Sequence, residues 1–318
     1  MRSRRYLPQV AAYRPSLRSQ KSARLSGAGE FAAAPVVLLP QPTDRYTCPR
    51  GQQLDDANKT RFGAFADLYD TARPRPPESL ATAILDYWRS GALGDRLPVV
   101  ADLGAGTGLS SLPWLGNVAR LVSIEPDERM IATLRERIAD AGPAASVAEA
   151  VVGAADAIPL GDGAVDIVTA SQSFHWMNPR TAVPEIERVL APGGLFVAYD
   201  CDWPVLVCPR VDRAFELLFL GLAEIEGVDQ GTHYPKAQHV ENLEKYGEFL
   251  FACEAGHQNR EECDRDRYLG IAYSQGHYQE RLAAAPAKVE PLRRAFEAVV
   301  DEEFAGGPRT MSVPYRLR

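Results

Sequence analysis

A short apolar run that ends in three closely spaced glycines constrains this chain more than any other feature. The run Val99–Leu103 has the length and branched side chains of a buried strand, and Gly104, Gly106 and Gly108 follow at every second position. Glycine lets the backbone turn sharply and approach a ligand without a Cβ in the way. The pattern predicts a parallel strand, a tight turn and then a helix, with a site for a nucleotide-sized ligand at the turn.

Two details separate this turn from the fingerprint of hydride-transfer proteins. That fingerprint places its third glycine three positions after the second, whereas Gly108 follows Gly106 after two. In addition, Asp102 precedes the first glycine by two positions. A carboxylate pointing into the crevice there would repel a pyrophosphate and attract an ammonium or sulfonium group. The turn therefore favours a cationic ligand.

Acidic residues also follow the next two apolar runs. Glu125 ends the run that begins at Leu121, at a spacing from the glycines typical of ribose binding. A carboxylate there accepts hydrogen bonds from two ribose hydroxyls in nicotinamide and adenosyl cofactors alike. Asp156 and the backbone amide of Ala157 offer an acceptor and a donor that match the edge of adenine. These residues indicate a ligand that contains adenosine.

The order of these marks resembles the class I S-adenosylmethionine-dependent methyltransferases, of the type 11 or trans-aconitate-methyltransferase-like group. The similarity covers roughly residues 60–200 and includes the Asp156-Ala157 pair with Pro159, the His175-Trp176 pair and the Pro-Gly-Gly turn after Ala191. It implies S-adenosylmethionine as the cofactor, S-adenosylhomocysteine as its product, and methyl transfer as the reaction. The cofactor site expected on the residues and on this resemblance comprises Tyr69, Arg73, Asp102, Gly104, Ala105, Gly106, Gly108, Glu125, Pro126, Asp156, Ala157 and Ser171.

Strand and helix patterns alternate from Ser79 to Tyr199, which predicts an α/β fold with a doubly wound, mostly parallel sheet. With the resemblance, we expect seven strands in a Rossmann-like methyltransferase fold with helical lid elements and an antiparallel closing strand. The expected later elements are strand four at Val165–Ala170, strand five at Leu195–Tyr199, strand six at Phe249–Cys253, a closing strand at Thr310–Arg316, and helices at Asp127–Ala141, Pro184–Leu190, Phe215–Ile225, Arg260–Leu282 and Val289–Phe304.

The resemblance also implies an N-terminal lid, in which Tyr69 and Arg73 lie over the cofactor. Three prolines between residues 74 and 77 stiffen the chain, so that Arg73 could present its guanidinium to the methionine carboxylate. Two structural alternatives stay open. Tyr69 also belongs to an aromatic stripe at helical spacing that fits a core-facing surface, and Arg73 also fits an exposed surface position.

The expected acceptor site follows strands four and five, because active sites lie at the carboxyl ends of parallel strands. His175 is the candidate general base, since an unperturbed imidazole titrates near neutrality, although the resemblance places the His-Trp pair as a wall of the pocket. Alignment alone supplies effective molarities of about 10⁵ M or more, so a base is optional. The expected pocket residues are His175, Trp176, Asp200, Asp202, His233 and Tyr234.

We expect no metal, because strand four ends in Ser171-Gln172 without an acid and the later histidines lack tight ligand spacing. Charge bears on the partner: residues 1–50 carry nine Lys and Arg against two acids, so a net charge of −7 for the chain leaves −14 for the rest. A strongly acidic body repels phosphate backbones, which favours a small-molecule acceptor and no nucleic acid. No apolar run approaches ~18 residues, which predicts no membrane partner.

The five cysteines are odd in number and lack a Cys-x-x-Cys motif, which favours reduced thiols and a cytoplasmic location. Residues 1–50 are expected to form a basic, flexible extension, and its composition leaves an organellar transit segment as the alternative. Residues 51–318 would form the methyltransferase domain. Within it we expect a cofactor-binding core at 60–200, helical pocket elements at 201–305 and the closing strand at 306–318.

Two other functions stay open from the residues alone. An NAD(P)-dependent oxidoreductase would use a similar strand, turn and helix, although the glycine spacing and Asp102 disfavour it. A catalytically idle cofactor-binding partner subunit would keep the same fold without an open acceptor pocket. Oxygen, nitrogen, carbon and carboxylate acceptors are all compatible with the expected pocket, and the sequence favours no oligomeric state.

Overall fold

The computed structural model describes residues 71–91, 96–226 and 233–318. Tyr69, the expected lid around it and the basic extension lie outside these ranges. The helices and strands are, in chain order, α1 Glu78–Ser90, β1 Val99–Leu103, β2 Arg120–Glu125, α2 Glu128–Asp140, β3 Ala148–Val152, β4 Val165–Ser171, α3 Pro179–Val189, β5 Leu190–Cys201, α4 Pro209–Ala223, α5 His239–Tyr246, β6 Ala255–Cys263, α6 Arg265–Tyr273, α7 Gly276–Ala284, α8 Pro286–Phe304 and β7 Arg309–Leu317.

The strands form one seven-stranded sheet in the order β3-β2-β1-β4-β5-β7-β6. Strands β1 to β5 pair in parallel, whereas β7 lies antiparallel between β5 and β6. This confirms the predicted doubly wound, mostly parallel sheet with an antiparallel closing strand. Because the chain order reverses beside β1, the ends of β1, β2 and β4 meet at one edge, where ligands bind in such folds.

Side chains that alternate along each strand enter two hydrophobic layers, one on each face of the sheet. In β1, Val100 joins the larger layer with Trp114 and Phe296, while the neighbouring Ala101 joins the second layer with Phe174. Both faces are thus covered, which explains why β1 and β4 are apolar along most of their length. The rigid sheet fixes the positions of the loops at its carboxyl edge.

Three sequence expectations about the elements were wrong. The sixth strand is β6, a polar edge strand, and not the apolar run 249–253, in which Leu250 is fully exposed. The helix expected over 260–282 is divided, because 260–263 belong to β6, Asp264 caps α6, and residues 274–275 separate α6 from α7. After the glycine turn only a single 3-10 turn, Leu112–Trp114, forms, with a proline in it and Gly116 at φ 83° behind it.

Candidate functional site

The three positions of the turn after β1 require glycine for different structural reasons. All three have positive φ values, of 65°, 56° and 93° for Gly104, Gly106 and Gly108. A Cβ on Gly104 would lie 2.6 Å from Ser173 Cβ, and one on Gly108 would lie 2.4 Å from Leu134 Cδ1. A Cβ on Gly106 would meet only Met130 Sδ, at 3.8 Å. The outer glycines are therefore required for packing, and the middle one leaves space against the backbone for a ligand.

Glu125, the last residue of β2, holds this turn from one side. Its Oε2 accepts a hydrogen bond from the Gly106 amide at 2.9 Å, and its Oε1 accepts one from the Asp127 amide at 3.0 Å. Burial raises the pKa of Glu125, and the two backbone hydrogen bonds oppose that rise. Each carboxylate oxygen keeps a second lone pair. The side chain can therefore hold the turn and also accept hydrogen bonds from ribose hydroxyls, so this edge fits an adenosyl group.

Asp102 does not point into the crevice, which corrects the sequence expectation. Its carboxylate is completely buried and accepts hydrogen bonds from Ser110 at 2.6 Å, Ser111 at 2.7 Å and Thr169 at 2.9 Å. Burial raises the pKa of Asp102, and the three hydroxyls oppose that rise. The residue joins β1 and β4 to the chain after the glycine turn, so it acts on the ligand site through the shape of the turn.

At the expected adenine end, the structure changes one of two assignments. Asp156 and Ala157 are both exposed, in the loop after β3. The Ala157 amide already donates to the Ala154 carbonyl at 3.2 Å and is not a free donor for adenine. The Asp156 carboxylate stays a prediction as the acceptor for the exocyclic amine.

Arg73 lies elsewhere than the sequence predicted. Its guanidinium is nearly buried, donates to the Ser274 hydroxyl and carbonyl and to Gln275 Oε1, and sits 5.0 Å from the centre of the Trp203 ring. Arg73 is therefore not an exposed surface residue. Its guanidinium binds Ser274 and Gln275, which the expected role at a ligand carboxylate did not include. Because Ser274 and Gln275 join α6 to α7, Arg73 connects the chain before α1 to the C-terminal helices.

The expected acceptor residues come together at the ends of β4 and β5. The His175 ring lies 4.9 Å from that of Trp176, and His233 lies 6.1 Å from Trp176, measured between ring centres. The Tyr234 amide donates to the His175 carbonyl at 2.7 Å. Asp202 also lies at this edge, but its carboxylate is bound by Arg316 at 2.7 Å. Ser171, at the end of β4, is hydrogen-bonded to the buried Tyr199 side chain.

A group of ionisable side chains meets around the buried Asp200, and we call it the Asp200 cluster: Asp200, His175, Lys236, His239 and Arg318. Lys236 Nζ lies 2.9 Å from Oδ1 of Asp200, and Arg318 Nη1 lies 3.0 Å from Oδ2. His175 Nδ1 is 3.6 Å from Oδ1, and His239 Nε2 is 3.7 Å from Oδ2. Burial would raise the pKa of Asp200, but Lys236 and the histidines hold it well below its usual range.

Both histidines of the cluster are neutral at pH 7. Burial, and after it the charge of Lys236, lowers the pKa of His175 to about 4. Burial also lowers the pKa of His239, which is fully enclosed, to about 3. His175 therefore carries a free lone pair on one ring nitrogen at neutral pH, as a general base requires.

Sequence reasoning missed Lys236, Gln172, His239 and Arg318. Lys236 and Asp200 are far apart along the chain, and neither belongs to a motif that marks a pair. Gln172 is the one described non-glycine residue with a positive φ, at 52°. In the sequence, only its position directly after β4 pointed to the site. In the structure, its backbone strain is a second indication, since strained backbone tends to collect at functional sites.

The free energy of unfolding should fall as the pH drops below 6.5, the ordinary histidine value. The unfolded chain binds protons on His175 and His239 at a higher pH than the folded protein, so their contribution is complete above 6.5 and is lost as the pH falls towards 4 and 3. Urea denaturation at about pH 5.5 should show a loss of roughly 2.5 kcal/mol relative to pH 7. His239→Asn should remove about half of that difference, and a stability that does not change between these pH values would contradict the assignment.

Comparison with known proteins shows a similarity to methyltransferases over part of the chain. A methyltransferase domain family matches residues 101–198. An uncharacterized methyltransferase of Mycobacterium tuberculosis is 35% identical over 134 residues, which cover 42% of this chain and 49% of the relative. Demethylmenaquinone methyltransferase of Clavibacter sepedonicus is 30% identical over 168 residues, or 51% of this chain and 66% of the relative. These matches support the predicted similarity to class I S-adenosylmethionine-dependent methyltransferases.

The similarity in fold extends beyond the matched segment. A solved structure from Anaeromyxobacter dehalogenans, assigned as a type II methyltransferase, aligns with a TM-score of 0.56 at 24% identity, over 77% of this chain and 96% of that one. The chain spans about half the length of the curated relatives it matches first. The matched segment includes the glycine turn, Glu125 and His175, whereas Asp200 and Lys236 lie outside it.

Proposed function

We propose that this protein transfers a methyl group from S-adenosylmethionine to a small-molecule acceptor bound at the ends of β4 and β5. The observation that carries the proposal is the open backbone at Gly106, held by the Glu125 carboxylate. When bound, the cofactor supplies a methyl group on a sulfonium, which is already a strong electrophile. The protein's main task is then to align the acceptor with it.

The chain offers the groups that would bind the cofactor. Glu125 has acceptor capacity left for ribose hydroxyls, and the Gly106 backbone is approachable because it has no side chain of its own and only Met130 Sδ lies near. Asp156 is exposed after β3 and is available to the adenine amine. Asp102, through Ser110, Ser111 and Thr169, keeps the turn in shape. Pro126 and Ala105 border the site as neighbours of these groups in the chain.

On the acceptor side, His175 is the proposed general base for a hydroxyl acceptor. Its side chain is 14% exposed and its Nδ1 atom is buried, which leaves Nε2 as the ring nitrogen that can meet an acceptor. Trp176 and His233 supply aromatic surface beside it. One relative is named for demethylmenaquinone, which supports a small molecule as the acceptor class.

The charge and cysteine patterns support the rest of the proposal. The acidic balance outside residues 1–50 disfavours nucleic acid as the acceptor. Cysteines 201, 208, 253 and 263 are free thiols, which favours the cytoplasm, with the organellar alternative kept for the basic extension. None of the helices in the described ranges is long and apolar enough to cross a membrane. The same ranges contain no grouping of three metal-ligating side chains, and independence from metal stays a prediction.

Isothermal titration calorimetry tests the cofactor site. We expect S-adenosylhomocysteine to bind the wild-type protein and NADH not to bind. Glu125→Gln should weaken S-adenosylhomocysteine binding roughly tenfold or more, because the amide loses acceptor capacity towards the ribose and the turn. Glu128→Gln is the matched control. Glu128 is exposed at the start of α2, so this substitution should leave the affinity unchanged.

Turnover is tested separately with the methyl-labelled cofactor and a metabolite extract. Label that appears on an extracted small molecule supports the proposed activity. Binding of S-adenosylhomocysteine without any transferred label would favour the catalytically idle partner subunit. Binding of NADH in place of S-adenosylhomocysteine would overturn the cofactor assignment.

A further inference from the structure

We infer that Lys236 is a positioning residue for His175 and acts on it through Asp200, the carboxylate that both side chains approach. The inference deepens the proposed function and rests on it, because it concerns how the candidate base is held. Lys236 lies outside the segment matched by the methyltransferase family. Its assignment comes from its contacts alone.

Lys236 joins the ends of two strands. Its Nζ donates to Gln172 Oε1 at 2.8 Å, directly after β4, and lies 2.9 Å from Asp200 Oδ1 in β5. Two residues earlier, the Tyr234 amide donates to the His175 carbonyl at 2.7 Å. The short segment 234–236 therefore holds both the backbone of His175 and the carboxylate beside its ring.

Gln172 shows that this arrangement is imposed by its surroundings. Its backbone has a left-handed φ of 52°, a conformation that is strained for a non-glycine residue. The Gln172 amide donates to the Tyr199 carbonyl at 2.9 Å, and Lys236 binds its side chain. Such a conformation persists only where several contacts hold it together. Lys236 is one of those contacts, and it fixes the chain that leads into His175.

The geometry around Asp200 determines which nitrogen of His175 is free. Nδ1 is buried, lacks a hydrogen-bond partner and faces Asp200 Oδ1 at 3.6 Å. A carboxylate can only accept, so the proton of the neutral ring belongs on Nδ1 and the lone pair on Nε2. The distance from Nδ1 to Oδ1 is too long for a hydrogen bond. A movement of the ring by about half an ångström towards Asp200 would allow that hydrogen bond to form. Lys236 keeps Asp200 in place for that contact.

This arrangement suits proton removal from a hydroxyl acceptor. As the acceptor oxygen bonds to the methyl carbon and the carbon–sulfur bond breaks, the acceptor proton moves to Nε2. The positive charge that left the sulfonium then lies on the His175 ring, next to the Asp200 carboxylate. Charge and protons balance, and no other reactant is required.

The charged and titratable groups that face His175 have opposite effects. Asp200, from β5, favours the protonated ring, whereas Lys236 and His233, from the segment before α5, oppose protonation. His239, at the start of α5, approaches the other oxygen of Asp200. Burial is the largest influence on the ring and Lys236 the second. Removing the cation should therefore raise the pKa of His175 while burial keeps it below 6.5.

Nuclear magnetic resonance of ¹⁵N- and ¹³C-labelled histidine side chains tests the inference without cofactor or acceptor. The His175 signal is assigned by its loss in His175→Gln. In the wild-type protein we expect the Nδ1–H tautomer and a titration midpoint of about 4. Lys236→Met should raise the midpoint by roughly one pH unit, whereas Lys236→Arg should retain the wild-type value.

Lys288→Met is the matched control, because Lys288 is exposed on α8 and should leave the His175 midpoint unchanged. A midpoint that does not move in Lys236→Met would overturn the role of Lys236. An Nε2–H tautomer in the wild-type protein would overturn the inference even if Lys236→Met does not fold. Failure of the calorimetry would instead count against the proposed cofactor, so the two outcomes remain distinct.

Discussion

Asp200→Asn should lower the free energy of unfolding by about 3 kcal/mol at pH 7. The amide has nearly the same shape as the carboxylate, so the effect is one of charge. The change leaves Arg318, whose side chain is 4% exposed, with Glu254 alone, and leaves Lys236 without its anion. Urea denaturation measures the loss, with the dependence on denaturant expected to stay constant.

The pH dependence follows from the lowered pKa of Asp200. A carboxyl whose folded pKa is depressed contributes stability above its unfolded value, here 3.8, and loses that contribution as the pH falls below it. The full difference between Asp200→Asn and the wild type should therefore be present at pH 7 and shrink only in acid. A difference that persists unchanged well below pH 3.8 would contradict the charge assignment.

Asp202→Asn is the matched control for this prediction. Asp202 lies two residues away and pairs with Arg316, but both side chains are about one-third exposed. Pairs in such surroundings contribute about 1 kcal/mol or less, because water solvates the charges when the pair is broken. Equal losses from Asp200→Asn and Asp202→Asn would show that burial does not distinguish the two carboxylates.

Gly108→Ala should destabilise the fold by about 3 kcal/mol or more. The left-handed backbone at φ 93° costs an alanine about 1–2 kcal/mol, and the new Cβ would lie 2.4 Å from Leu134 Cδ1, which adds the cost of an overpacked core. Thermal denaturation measures the effect. Gly116→Ala separates the two causes, because Gly116 has a similar φ of 83° and no atom within 4 Å of the added Cβ.

Gly106→Ala should affect ligand binding more than stability. The strain at φ 56° is again about 1–2 kcal/mol, but the added methyl group meets only Met130 Sδ, at the ordinary contact distance of 3.8 Å. We expect this variant to fold and to lose S-adenosylhomocysteine binding in calorimetry, because the methyl group occupies the face proposed for the ligand. Retained affinity in folded Gly106→Ala would place the cofactor elsewhere.

Much of the fold could be predicted because buried parallel strands leave local signals. β1 and β4 are apolar along most of their length, and the glycines and Glu125 stand at strand ends, so their meeting at one edge follows from the parallel sheet. The polar edge strand β6 left no such signal, because it has few apolar residues and its residues alternate between half-buried and exposed positions. The apolar run 249–253 was mistaken for that strand because hydrophobicity alone does not distinguish a covered strand from an exposed loop.

For the site, the sequence could name residue types at strand ends but not their contacts. Asp102 and Arg73 were expected to meet the ligand, and the structure directs them to Ser110, Ser111 and Thr169 in one case and to Ser274 and Gln275 in the other. A strand end fixes where a Cα lies, whereas the partner of a long polar side chain depends on which distant segment packs against it.

By itself, the sequence determined the parallel sheet, the glycine turn and the acid after the second strand, because each depends on residues close together in the chain. The tertiary structure alone decided the Asp200 cluster. Its members come from β5, from the loop after β4, from the segment before α5, from α5 and from the residue after β7, and they meet only when the sheet has closed. No local pattern reports the burial that lowers the pKa values of His175 and His239, or the cations that lower the pKa of Asp200.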